Sequence, residues 1–313
     1  MRFAKPLGGA FLVGGIFGLL GQGLAMIYWQ VPFLEGNQTI ALLLTMGVLG
    51  GVLFATGAWD KIEKIGEMGA TLPFVGLGAT MSGITFGTKM KTGSLARGVW
   101  VAFKEIMLKV VGATMIILMI VSAAIFFLDG GSTHLGADAL AFAQETGAPA
   151  AVPAYVSIMP NAAGDLLTNM LTVHDPSLAP ATLAFSFLGV GAFSALMQLA
   201  VMLTGVTVPT LFSILIVAGG LLTIPGCMSP VLDTLGGGAQ VVIMDFGQAT
   251  VQLFCFALAG GVPGPMPFIM VIALLLALDV IGALGAIARA ALLSKNGPKA
   301  DTPRNEASAA HTE

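Results

Sequence analysis

The chain has 313 residues, of which 56% are hydrophobic and 9% are charged, and its mean hydropathy is +0.94. Soluble domains carry about 25% charged residues, so this composition excludes a soluble globular protein and predicts an all-α integral membrane protein. The net charge of −3 says little about partners, but the sequence has no basic patch for nucleic acid, so no nucleic-acid partner is expected. The lipid bilayer is the first partner to expect.

The first half of the chain predicts three membrane spans, at residues 7–29, 39–59 and 101–128. Tyr28 and Trp29 end the first span, where amphipathic rings favour the membrane interface. A polar loop at 88–97 precedes the third span, near whose start Glu105 and Lys109 are four residues apart and can pair on one helix face.

Between the second and third spans, residues 57–87 are apolar after a charged first turn, yet they contain many helix breakers. The breakers are Gly69, Pro73, Gly76, Gly78 and Gly83. Glycine weakens a helix, and proline removes a backbone donor. Interrupted helices at membrane depth are buried in protein or line a cavity, so this pattern favours a broken or re-entrant segment near a substrate site. The alternative is an ordinary glycine-rich span that packs closely on a neighbour.

The second half continues after a polar linker at 129–182 with apolar runs at 183–203, 210–224, 239–259 and 266–293. The tail at 294–313 is polar and is expected to be disordered and cytoplasmic. We therefore divide the chain into a first membrane repeat at 1–128, the linker, a second membrane repeat at 183–293, and the tail.

The distribution of charge predicts which segments face the cytoplasm. Lys and Arg occur at the N-terminus, on both sides of 66–86 and after 288, whereas the linker has five acidic residues and no Lys or Arg. Because cytoplasmic loops carry the excess of basic residues, both termini are expected inside a multi-pass cytoplasmic membrane and the linker outside. The broken segment then enters and leaves from the same face.

The two membrane repeats share a glycine pattern. Gly50, Gly51 and Gly57 recur as Gly219, Gly220 and Gly226 with unchanged spacing. Gly66 is matched to Gly236 in the same way, and Gln22 and Gln198 both lie inside apolar runs. Three spans and one broken segment in each half predict two inverted repeats, since an odd number of spans reverses the second copy. Four full spans in each half is the rival count, and the acidic linker argues against it.

The run from Trp59 to Ile62, with the run from Gly69 to Leu77, resembles the small membrane subunits of the stage V sporulation protein A family, of the SpoVAC and SpoVAE type. The runs Gly14–Gly23 and Gly98–Ala124 are similar to the family's first and last spans. The resemblance covers about residues 8–128 and, through the repeat, more weakly 183–290. It implies movement of dipicolinic acid with calcium across the inner membrane of a spore. The chain departs from the family in its double length, in Glu67 and Ala79, and in Ser229 in place of Asp60.

We expect a channel or transporter for a small anionic metabolite, with dipicolinate as the first candidate and calcium as its companion ion. The N-termini of half-helices suit carboxylates. The predicted substrate or pore residues are Gln22, Gly69, Pro73, Gly76, Gly236, Gly238, Gln240, Asp245 and Asp279. The predicted cytoplasmic rim consists of Asp60, Lys64 and Glu67.

Alternatives remain open for the acids and for the whole chain. Asp245 suits a helix cap as well as a site, and Asp279 suits a hydrogen bond to a neighbouring span. The chain as a whole suits a structural or tension-sensing subunit that assembles with other membrane subunits or with a second copy of itself. No catalytic or metal-ligand spacing stands out, so neither an enzyme nor a cofactor is expected.

Overall fold

The computed structural model describes residues 3–34, 37–128, 176–258 and 266–295, and regular structure in these ranges is helical. Five helices are long and apolar enough to cross a membrane, or six if the bent pair Val208–Thr223 and Met228–Leu235 counts as one span. The all-α membrane fold is thereby confirmed. Most of the predicted linker and of the predicted tail lies outside the described residues.

The described residues of the first half form six α-helices and a 3-10 turn at Pro32–Leu34. The helices are α1 (Ala4–Tyr28), α2 (Gln38–Thr56), α3 (Ala58–Gly66), α4 (Met68–Thr71), α5 (Phe74–Thr92) and α6 (Leu95–Leu128). Gly57 ends α2 in the left-handed region, which only glycine adopts without strain. Ser94 caps α6 by accepting a hydrogen bond from the Arg97 N–H, and Phe103–Gly112 within α6 is wound as a π-helix.

The second half contains six helices in the same order. They are α7 (Ala181–Thr204), α8 (Val208–Thr223), α9 (Met228–Leu235), α10 (Gly237–Gln240), α11 (Asp245–Leu258) and α12 (Met266–Lys295). Each half therefore has a long helix, a second span, two short helices, a helix that begins after a break, and a long last helix.

Backbone conformation repeats at positions 169 residues apart. Gly57 and Gly226 have φ of +76° and +78°. Glu67 and Gly236 have φ of +43° and +54°, and each separates two short helices. Gly236 is therefore the counterpart of Glu67, and the match of Gly236 to Gly66 made from the sequence was wrong by one residue.

Two sequence-based boundaries also need correction. The second span was predicted to reach residue 59, but α2 ends at Thr56 and the buried Trp59 belongs to α3. The predicted polar loop at 88–97 is almost entirely helical, because α5 continues to Thr92 and α6 begins at Leu95. Lys89 and Lys91 lie in the last turn of α5, where positive charge complements the helix dipole.

Contacts between helices fix their directions. The long helices α1 and α7 are antiparallel, since a Cβ on Gly15 would meet the Phe187 carbonyl and one on Gly191 would meet the Phe11 carbonyl. In contrast, α2 and α5 run in the same direction, because Gly47 lies beside Gly78 and the Phe54 ring lies 6.0 Å from the Phe86 ring. The chain between the end of α2 and the end of α5 therefore begins and ends at one end of the molecule, which we name the first end.

The last helix of each half packs on the other half. A Cβ on Gly47 would overlap Leu278, and one on Gly282 would meet Met81, so α12 lies in the groove between α2 and α5. In the same way α6 packs on α8 and α11, where Leu118 fills the space beside Gly220. The two halves thus form one interlocked helical body.

Candidate functional site at the crossing of two interrupted helices

The two interrupted helices meet at their breaks. Pro73 and Val242 form an antiparallel bridge. The Phe74 N–H donates to the Val241 carbonyl at 2.8 Å, and the Ile243 N–H donates to the Leu72 carbonyl at 3.3 Å. These bonds satisfy backbone groups that a break in a helix leaves unpaired, which a membrane interior requires.

The bridge lies halfway along α1. Gly69 of α4 packs on α1 between Ala10 and Gly14, and Gly237 of α10 packs on α1 between Gly21 and Ala25. The bridge joins the residues that follow these two short helices, so its level falls between the two contacts. The bridge therefore lies about midway along a helix that is long enough to span a bilayer.

Two buried glutamines hold the short helices across the halves. Gln22 Oε1 on α1 accepts the Gly237 N–H at 2.7 Å, and its Nε2 donates to the Ser177 carbonyl at 2.7 Å. Gln198 Oε1 on α7 accepts the Met68 N–H at 3.1 Å, and its Nε2 donates to Glu67 Oε2. Each long helix therefore caps the short helix of the opposite half, where the first N–H groups lack helical partners.

Glu67, expected at a cytoplasmic rim, lies at the junction of α3 and α4. It is the one non-glycine residue with positive φ in the described ranges. Such a conformation costs about 1–3 kcal/mol, and it persists where the surrounding contacts fix it. Here the contact is the hydrogen bond from Gln198, and Thr71 Oγ1 also donates to the Glu67 carbonyl at 2.8 Å.

The predicted site glycines occupy close helix contacts. A Cβ on Gly69 would overlap the Ala10 carbonyl, and one on Gly76 would overlap the Thr71 carbonyl. Gly236 faces the Gln22 amide, and Gly238 faces Ser186. The glycines therefore bring the short helices against their neighbours at the crossing. Their part in binding a substrate stays a prediction.

The polar residues at the crossing belong mainly to the second half. Gln240 and Gln248 are 6% and 3% exposed, and the Oε1 atom of each has no hydrogen-bond partner in the described part of the chain. Asp245 is the first residue of α11. At a spacing of 169 residues the first half has Thr71, Gly76 and Ala79 at these positions, so the second break carries the polar side chains.

Asp279 lies on α12, which packs on α2 and α5 of the first half. Its side chain is buried, and Oδ1 has no hydrogen-bond partner among the described residues. It lies one turn before Gly282, which packs on Met81 of α5, so it lies at the level where α5 begins.

Ionic contacts lie at the first end. Arg289 donates from Nη2 to Asp60 Oδ2 at 2.6 Å and from Nη1 to the Phe54 carbonyl at 3.0 Å. Its guanidinium lies 4.5 Å from the centre of the Phe54 ring. Lys64 is exposed on α3. The predicted rim residue Asp60 is thus a partner of Arg289, which holds α12 to α2 and α3.

Three functional candidates were missed from the sequence. Gln198 and Gln248 could have been recognised because each is an amide side chain inside an apolar run. Gln198 was considered only as the counterpart of Gln22 in the repeat. Arg289 was counted only among the basic residues that predict the topology. Its partner Asp60 lies 229 positions away, beyond the reach of any local pattern.

The five candidate spans define a multi-pass helical membrane protein, in which two interrupted helices meet at their breaks. Residues 7–128 match the model of the SpoVAC/SpoVAEB sporulation membrane protein family. The resemblance predicted from the motifs is confirmed there, and its extension to 183–290 stays a prediction. No curated protein and no solved structure matches the chain.

Proposed function

We propose that the protein is a conduit for a small dicarboxylate, with dipicolinate as the first candidate, and that the substrate binds where the two interrupted helices cross. The observation that carries the proposal is the bridge between Pro73 and Val242, midway along α1. Gln240 and Gln248 of the second half are buried, and their Oε1 atoms have no hydrogen-bond partner in the described part of the chain. Transporters place substrates at such paired breaks.

The arrangement of the halves supports two inverted copies. The equivalent helices α1 and α7 are antiparallel, and residues 169 positions apart make matching contacts: Gly50 packs on the Val75 carbonyl, and Gly219 packs on the Met244 carbonyl. In this proposal each break belongs to a re-entrant hairpin, and the two hairpins enter from opposite faces.

The proposed orientation places the first end in the cytoplasm. Basic residues collect there, at the start of α1, on α3, in the last turn of α5 and at the start of α6. They are Lys5, Lys61, Lys64, Lys89, Lys91 and Arg97. Basic segments remain on the cytoplasmic side, so both termini would be cytoplasmic, in the inner membrane of a spore where the host forms one.

The chemistry of the second break suits a metal dicarboxylate. A glutamine amide offers an N–H donor to a carboxylate and an oxygen to a calcium ion, and Asp245 adds a carboxylate oxygen, the ligand type that calcium prefers. The start of α11 directs backbone N–H groups toward bound negative charge. In our proposal calcium accompanies the substrate as its chelate, and no chemical reaction takes place at the site.

A second candidate is a structural or tension-sensing subunit. It is favoured by the closure of the crossing, where Leu72, Phe74, Val241 and Ile243 are at most 2% exposed. A conduit must open this apolar contact during transport, whereas a subunit that transports nothing keeps it closed. Both candidates are consistent with close packing of glycine-rich helices.

Reconstitution of the full chain in liposomes tests the proposal. Liposomes loaded with a luminescent lanthanide report dipicolinate entry, because chelation by the dicarboxylate changes the emission. We expect entry above that of protein-free liposomes, and at least tenfold slower entry for Gln248→Met. Gln30→Met is the matched control, since Gln30 is exposed and bonds only to the Met26 carbonyl of its own helix.

The outcome separates the two candidates. A chain that gives neither flux nor conductance, with and without osmotic tension, would replace the conduit by the subunit. Equal flux in Gln248→Met and Gln30→Met would leave a conduit but remove the second break as its binding site.

A further inference from the structure

Asp279 is an acid without a counterion in the middle of an apolar helix. Its side chain is 8% exposed, and Oδ1 has no hydrogen-bond partner in the described part of the chain. An ionised carboxylate in such a place is costly unless it is paired, and acids within membrane spans are usually functional. A proton on Asp279 removes this cost in the packed state.

Its position connects it to the crossing. The neighbouring residue Leu278 fills the space beside Gly47 of α2, and Gly282 packs on Met81 of α5. Asp279 lies between these contacts on the buried face of α12, opposite the first turns of α5, which begins at the break after Pro73. A change in its charge acts directly on the helix that leaves the bridge.

The described helices that pack around Asp279 place no free cationic side chain beside it, so we expect a proton to neutralise its carboxylate. Helix α2 contains no Asp, Glu, Lys, Arg or His. The charged residues of α5 are Lys89 and Lys91, which lie in its last turn. Arg97 lies at the start of α6. On α12 itself, Arg289 pairs with Asp60, and Lys295 ends the helix. The packed helix α11 carries another acid, Asp245, and the thiol of Cys255.

We propose that Asp279 is the proton-binding residue that couples substrate movement to the proton gradient. This inference rests on the proposed conduit function. Ionised Asp279 repels a dicarboxylate that carries no calcium, and its protonation removes that repulsion, so the proton and the metal-free dicarboxylate bind together and move in the same direction. When water reaches the residue on the other side, the proton leaves and the carboxylate regains its charge. Asp245 differs in position, because it opens α11, whereas Asp279 lies in the middle of a spanning helix.

The test uses the full chain in liposomes with an imposed pH difference. With the outside acidic by about one pH unit, coupling to one proton supports up to about tenfold accumulation of dipicolinate. We expect this accumulation for the unmodified chain and a ratio of about one for Asp279→Asn. Exchange of labelled for unlabelled dipicolinate at equal pH should persist in this variant. Glu105→Gln, which removes an exposed acid paired with Lys109, should accumulate like the unmodified chain.

Each outcome decides a separate question. Absence of any flux in the unmodified chain overturns the conduit and the coupling together. Flux that ignores the pH difference overturns the coupling alone, as does accumulation that persists in Asp279→Asn.

Infrared spectroscopy supplies a measurement that does not depend on folding of Asp279→Asn. The Asp245→Asn variant with isotope-labelled aspartate should retain the band of a protonated aspartic acid near neutral pH, because Asp279 remains. Absence of that band overturns the proposal.

Discussion

Gln22 and Gln198 illustrate how single side chains hold the interrupted helices in place. Each crosses from a long helix to the first N–H of a short helix in the opposite half. A four-residue helix cannot satisfy its own donors, and no water is available in the membrane interior. The amide of a long side chain supplies the missing acceptor, which explains why a polar residue occurs inside an otherwise apolar span.

Gln22→Leu should lower the stability of the protein by about 1–3 kcal/mol, since the Gly237 N–H then loses its buried acceptor. Thermal unfolding in detergent measures the effect. Gln30→Leu is the matched control and should change stability by less than about 0.5 kcal/mol, because Gln30 is exposed. Equal melting temperatures for the two variants would show that another group satisfies Gly237.

Pro73→Leu should impair transport more than it impairs expression. Pro73 has φ of −69° and ψ of 155°, which leucine also adopts, so the fold is expected to survive. Leucine adds an N–H group and frees φ at the bridge, which loosens the break. Quantitative membrane expression and dipicolinate flux are measured together, with Pro209→Ala at the start of α8 as the control. Loss of both in equal measure would assign Pro73 a folding role only.

At the scale of helices, the sequence predicted the breaks but not all of their surroundings. Pro73 and its glycines pointed to the first interruption, and the glycine repeat carried that prediction to the second half, where the bridge residue is Val242. The packing of α6 and α12 on opposite halves was not predictable, because membrane spans are apolar on all faces and periodicity does not select a partner. The register of Glu67 with Gly236 also required the backbone.

Close packing of α2 on α5 gives a prediction with a control on the same helix. A Cβ on Gly78 would overlap the Gly47 carbonyl, whereas one on Gly87 would meet nothing within 4 Å. Gly78→Ala should therefore destabilise the protein by about 1–3 kcal/mol through overpacking. Gly87→Ala should be neutral or stabilising by up to about 1 kcal/mol, since alanine favours a helix. Thermal unfolding of both variants in detergent measures the difference.

The opposite order of stability for these two variants would mean that α2 and α5 separate easily. The contact between the two helices would then not hold the re-entrant segment of the proposed function in place.

At the scale of the whole molecule, the exchange of last helices makes each half incomplete alone. Without α12 the groove between α2 and α5 loses its cover, and without α6 the same is true of α8 and α11. Residues such as Leu278 and Leu118, which fill glycine contacts on the other half, would then face lipid. Because both halves belong to one chain, every molecule contains both exchanged helices, α6 and α12.

A chain cut between residues 128 and 176 should assemble when both pieces are made together. Affinity purification of a tag on the second piece is expected to recover the first piece in about equal amount, because two helix exchanges join them. Either piece made alone should accumulate to a lower level and unfold at a lower temperature. Recovery of a stable first piece without the second would contradict the exchange.

The pairing of Arg289 with Asp60 is not repeated at the corresponding position of the second half, where Ser229 takes the place of Asp60. Asp60 is about half exposed, so dissolved ions reach this pair and weaken it. Added salt therefore weakens this contact at the first end and finds no matching carboxylate at position 229, although the helices of the two halves follow the same order.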